Sequence, residues 1–95
     1  MHYKMKVVIC HPENTAKERT YNIDCVFIYD PSTYGNGHWL GLFFDNGSEY
    51  YEDLRYFTEV PISNKIGVLA WWANAHWTGK DGAFAVKSLE ISKAE

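Results

Sequence analysis

The chain is short of cysteine, proline and long apolar runs, and each shortage excludes something. No uninterrupted apolar stretch approaches the ~20 residues a membrane helix needs. The opening MHYKMKVVICH holds too short an apolar run for a signal peptide. A soluble, cytoplasmic protein without membrane contact is the expectation. Two cysteines, Cys10 and Cys25, cannot make a disulfide framework and are expected as free, buried thiols. They could bridge only if strand pairing brought their Cα atoms within ~7 Å.

Bases are missing from the middle of the chain. From Asp24 to Glu59 there are seven acids (Asp24, Asp30, Asp45, Glu49, Glu52, Asp53, Glu59) and one base, Arg55. The remainder carries eight bases and five acids, within a net charge of −3. Such a block disfavours direct binding of phosphate or nucleic acid. Aromatic rings for base stacking are plentiful, but no basic cluster accompanies them. A solvated, solubilising face is the plain reading of the block, and a surface for a basic partner is the functional one.

Chemical motifs are also lacking. His2, His11, His38 and His76 show no close ligand spacing with each other or with the cysteines, so no metal or cofactor is expected. Gly79-Lys80 lacks the upstream glycine and following hydroxyl of a phosphate loop and stands after a helix, where such a loop precedes one. Glu52 and Asp53 are neighbours on a strand and point to opposite faces, so they cannot work as an acid/base pair. No catalytic residue is assigned.

What the chain has is aromatic mass: four Trp, seven Tyr and five Phe in 95 residues, enough for one domain over residues 1–95 with a single core. The segment Ser63 to Trp77 is the one stretch with helical periodicity. Helical spacing puts Ile66, Leu69, Ala70, Ala73 and Trp77 on one arc, with Trp72 and His76 at its margin. Ser63 or Asn64 is placed to cap it and Gly79 to end it, so the spacing predicts a helix over 64–77. Trp71 and Trp72 are adjacent and cannot both enter one core. Trp71 is either half covered by a loop or a solvent-facing anchor for a partner.

Elsewhere the period is two. Tyr3, Met5, Val7 and Ile9 alternate with polar residues. Tyr21, Ile23, Cys25, Phe27 and Tyr29 share one side of a second strand whose far end, at Val26 and Ile28, is apolar on the other side too. A turn-rich stretch follows, with Tyr34 as an exposed aromatic suited to recognition. WLGLFF, residues 39–44, has no polar face. Asn46-Gly47 then signals a hairpin with those two residues as its loop. In that register Leu40, Leu42, Phe44 and Tyr51 share a face rimmed by Glu49 and Asp53. Trp39, Phe43, Tyr50 and Leu54 share the other, where Glu52 lies over Gly41. A final strand changes parity between Val86 and Leu89, which predicts a bulge near Lys87-Ser88.

The expected fold is α+β: a twisted antiparallel sheet of four to five strands, in sequence order β-β-β-β-α-β, packed against one helix. One helix covers one face of a small sheet. The face expected to carry Leu40, Leu42, Phe44 and Tyr51 therefore needs another cover: a sheet curled on itself, long side chains such as Arg55 laid across it or, as the leading expectation, a protein partner or a second copy of the chain. The candidate partner-binding set is Tyr34, Leu40, Leu42, Phe44, Asp45, Glu49, Tyr51, Asp53 and Trp71. The expected function is a non-enzymatic interaction module. One concrete form is an accessory or inhibitor protein of a mobile element or phage whose acidic hairpin fills a basic nucleic-acid site on its target. Two alternatives stay open: a small-molecule or enzymatic pocket lined by Trp39, Tyr50, Glu52 and Trp72, and a structural homodimer subunit.

Overall fold

A computed structural model describes residues 1–32, 35–78 and 83–94. It has the α+β order expected: β1 (His2–His11), β2 (Asn14–Tyr29), β3 (His38–Phe44), β4 (Glu49–Asp53), α1 (Lys65–Thr78) and β5 (Ala85–Lys93). The five strands form one sheet in the order β4-β3-β2-β1-β5, and every neighbouring pair is antiparallel. It follows that β4 and β5 run the same way at opposite edges of the sheet. The chain must cross the whole sheet between them, and α1 lies on one face in doing so.

That covered face is the core. It takes the alternate residues Tyr3, Met5, Val7 and Ile9 of β1, Ile23 and Cys25 of β2, and Leu40, Leu42 and Phe44 of β3. From α1 it receives Val68, Leu69, Trp72, Ala73 and Trp77. Each large apolar side chain sealed in this way contributes roughly 1.5–3 kcal/mol. Asn64 caps the helix, its Oδ1 accepting a hydrogen bond from the Gly67 N–H at 3.0 Å.

The buried stripe is turned from the expected one. Ile66 is 52 % exposed, while Val68 is fully buried and Trp72 only 6 % exposed. An indole removes more apolar surface from water than an isoleucine does, and Trp72 and Trp77 both meet the Phe44 ring edge-on, at 6.3 and 6.2 Å. Seating both indoles sets the phase. Trp71 is left 41 % exposed with the Phe57 ring against its side at 5.1 Å, which is the half-covered arrangement.

The β3–β4 hairpin departs from the expected register by one residue. The Gly47 N–H donates to the Phe44 carbonyl at 3.1 Å, and the Phe44 N–H donates to the Ser48 carbonyl at 2.9 Å. The loop therefore holds three residues, Asp45, Asn46 and Gly47, and Gly47 alone must take the left-handed conformation (φ +90°). The strand pairs become Phe43 with Glu49, Leu42 with Tyr50, Gly41 with Tyr51, Leu40 with Glu52 and Trp39 with Asp53. Because side chains alternate, this slip exchanges the two faces of β4. Tyr50 and Glu52 go to the helix side; Glu49, Tyr51 and Asp53 go to the other.

The parity change in β5 is where it was expected. Val8 pairs with Ser88 and Ile9 with Val86, so Lys87 is the extra residue of a bulge. Its ammonium reaches Glu18 at 2.7 Å. The turn expected around Gly79 to Gly82 lies outside the described residues.

Two substitutions test the helix. Trp72→Ala should cost ~3–5 kcal/mol as a core truncation and Trp71→Ala well under half of that; equal losses in denaturant unfolding would contradict the observed phase. Asn64→Ala should cost ~1 kcal/mol by the same measurement.

Candidate functional site: the open face of the sheet

Three of the residues expected on an uncovered face are in the interior. Leu40 and Leu42 are fully buried and Phe44 nearly so, all beneath α1. They are not available to a partner, because side chains of α1 cover this side of β3 and the hairpin slip separates them from Tyr51. The uncovered side is the one carrying Trp39, Gly41 and Phe43 of β3. Register places Val26 opposite Gly41 and Ile28 opposite Trp39 on β2, with Tyr51 opposite Gly41 on β4.

These residues make an aromatic patch with a defined centre. Gly41 has no side chain, and the Phe43 and Tyr51 rings close over it edge to face at 5.8 Å. A Cβ at Gly41 would come within 3.1 Å of the Phe43 ring. Tyr51 is 54 % exposed and Ile28 36 %, while Val26, Trp39 and Phe43 are partly covered by their neighbours. Among the described residues no helix or strand packs on this side.

Charge frames the patch unevenly. Toward β1 and β5 the face becomes an ionic mesh, with Lys4 3.6 Å from Asp24 and Lys6 4.0 Å from Glu90. Lys4, Lys6, Asn22, Asp24, Phe43 and Glu90 line a shallow concavity of about 740 Å³ there. At the far end of β4, Asp53 is held by Arg55 through Nε at 2.8 Å and Nη2 at 2.5 Å, so its charge is largely offset. Asp45 accepts a hydrogen bond from the Asn22 amide at 3.2 Å. Among the described residues neither Asp45 nor Glu49 has a lysine or arginine within 4.0 Å. The unbalanced negative charge of the hairpin thus sits at its turn end, beside Phe43. Tyr34 lies outside the described residues.

The pocket of Trp39, Tyr50, Glu52 and Trp72 is not assembled. Trp39 is on the open face, and the other three are on the helix side. Tyr50 leans on His76, which stacks on Trp72 at 4.7 Å. Glu52 lies opposite Leu40, not over Gly41. It lines a cleft of about 460 Å³ between α1 and the segment after β4, together with Leu54, Phe57, Glu59 and Trp71.

Among the described residues no three potential ligands converge on a metal position, and no helix is long and apolar enough to cross a membrane. Cys10 and Cys25 are free and buried. Cys25 stands opposite Tyr3, seven positions along β1 from Cys10, which is ~23 Å at a strand's rise per residue. Burial, with a smaller contribution from Asp24, pushes the Cys25 thiol up to about 12.

That shift has a sign. Below pH 9 the thiol is protonated in folded and unfolded chains alike, and above it only the unfolded chain releases the proton. Stability from this group should therefore decline from pH 9 up to about 12, and Cys25→Ala should flatten that part of the profile in pH-dependent unfolding. Native protein at pH 8 should also resist thiol alkylation at Cys25 until denaturant is added. Compared with family models, curated proteins and solved structures, the chain matches none.

Proposed function

We propose that this chain is a non-enzymatic protein-interaction module that binds through the open face of β4-β3-β2. The observation that carries the reading is the aromatic patch of Trp39, Phe43 and Tyr51 with Val26 and Ile28, exposed at Tyr51 and Ile28 and set on the face that α1 does not reach. Rigid aromatics at the centre of a patch with a polar rim are the composition of binding hot spots. The partner's surface is basic where it meets the turn end of the hairpin, because Asp45 and Glu49 leave that end negative. A protein that handles nucleic acid has such a surface, and an accessory or inhibitor protein of a mobile element or phage is the concrete role that would use it.

The experiment starts from affinity capture in the native host, followed by titration of each purified partner. Tyr51→Ser and Ile28→Ser, both at exposed positions, should each weaken binding by about tenfold or more. The double substitution Asp45→Asn with Glu49→Gln should weaken it further and reduce its salt dependence. Tyr56→Ser, an exposed ring after β4, should leave it unchanged. A partner indifferent to the first two substitutions would overturn the open-face reading; one sensitive to them but indifferent to the charges would overturn its electrostatic part. A small-molecule function would show instead in a thermal-shift screen, where a ligand at 100 times its Kd adds about 2.7 kcal/mol.

A further inference from the structure

The two edges of the sheet are built differently. At the β5 edge, the Ala94 N–H donates to the His2 carbonyl at 3.0 Å. This turns the backbone groups of Ser92 and Glu90 toward β1 and those of Leu89, Ile91 and Lys93 outward. That edge carries a bulge at Lys87 and a second lysine, Lys93, both devices that discourage a further strand.

At the β4 edge the same accounting gives another result. The Phe44 N–H donates to Ser48 and the Leu54 N–H donates to His38, at 2.9 and 3.0 Å. Both bonds belong to the set of pairs that includes Leu42 with Tyr50 and Leu40 with Glu52. The N–H and C=O groups of Glu49, Tyr51 and Asp53 therefore face away from β3, along an edge where these three residues are exposed. Their side chains are the ones that stand on the open face. Backbone hydrogen-bonding capacity and the apolar patch thus meet at Tyr51.

Building on the open-face reading, we propose that β4 accepts an extended segment of a basic protein as a sixth strand, whose alternate side chains extend the aromatic patch. Alternation dictates what that segment carries. A lysine or arginine stands opposite Glu49, and an aromatic or β-branched residue stands opposite Tyr51. Opposite Asp53, already held by Arg55, a neutral polar residue suffices. A second copy of this chain is a poorer occupant. Antiparallel pairing about Tyr51 sets Glu49 of each copy beside Asp53 of the other, where Arg55 is already engaged and supplies no free cation, and pairing about Glu49 sets that carboxylate against itself. Like charges directly opposite each other destabilise a strand pair. The acids of this edge repel a second copy and attract a cationic strand.

The test uses the full chain and a capped peptide, long enough to span β4, in which lysine, valine and threonine occupy three successive alternate positions to stand opposite Glu49, Tyr51 and Asp53. In the free protein the amides of Glu49 and Tyr51 should exchange with solvent quickly while those of Tyr50 and Glu52 are protected. Saturating peptide should slow exchange at Glu49 and Tyr51 by about tenfold or more. Tyr51→Pro removes the ring and an outward donor but no hydrogen bond to β3, and is compatible with folding at this edge. It should weaken peptide binding about tenfold or more, while Tyr51→Val, which keeps the N–H, stays within about threefold. Circular dichroism confirms that both variants fold. Equal losses in the two variants, or no added amide protection, would overturn strand addition. The face reading would then stand or fall separately on the response to Ile28→Ser. A dimer in sedimentation, with Glu49 and Tyr51 protected before peptide is added, would overturn the basic segment in favour of a second copy.

Discussion

The contact on which this fold depends is that of Trp72 and Trp77 with Phe44. The two indoles lie on one side of α1 and meet the same ring from different directions, and Tyr21 then stacks on Trp77 at 5.3 Å. This clamp fixes the rotation of the helix about its axis and ties it to β3 through side chains, while its backbone lies nearest β5 and β1. Leu69, Val68 and Ala73 follow the indoles into the core without further choice. Ile66 is left outside because the helix cannot present both sets at once.

A helix seated this way shields one side of the sheet only, and the connection explains why there is just one. Since β4 and β5 run in the same direction at opposite edges, a single crossing joins them, and that crossing is α1. The opposite side must manage its own surface. Over β1 and β5 it does so with the Lys4–Asp24 and Lys6–Glu90 pairs. Exposed pairs of this kind stabilise little, but they leave the face polar. Around Gly41, between the Lys4–Asp24 pair on one side and the Arg55–Asp53 pair on the other, aromatics close over the sheet instead. The face is thereby divided into a charged half and an aromatic half.

The hairpin decides which residues form the aromatic half. A three-residue loop, with Gly47 as its one left-handed position, puts Tyr51 beside Phe43 and turns Tyr50 toward His76. A two-residue loop would have exchanged them. The same loop sets which backbone groups of β4 point outward, so the chemistry of the edge and that of the face are consequences of one turn. The negative charge of Asp45 and Glu49 lies close to the same turn.

Much of this was legible in the chain. Alternation in β1 and β2, the apolar run of β3, the Asn64 cap and the parity change at Lys87 all follow from local chemistry, because each depends on neighbours a few residues away. So does the count of two apolar faces against one helix. Which face remained open was not legible. An Asn-Gly pair announces a hairpin but is compatible with loops of two or three residues, and one residue of difference inverts a strand. The helical phase was ambiguous for a like reason: adjacent tryptophans offer two stripes, and only the ring of Phe44, distant in sequence, chooses between them. Local pattern along the chain specifies the elements, their order and the surplus of apolar surface; register and phase come from packing, because they are settled by contacts between residues far apart in the chain.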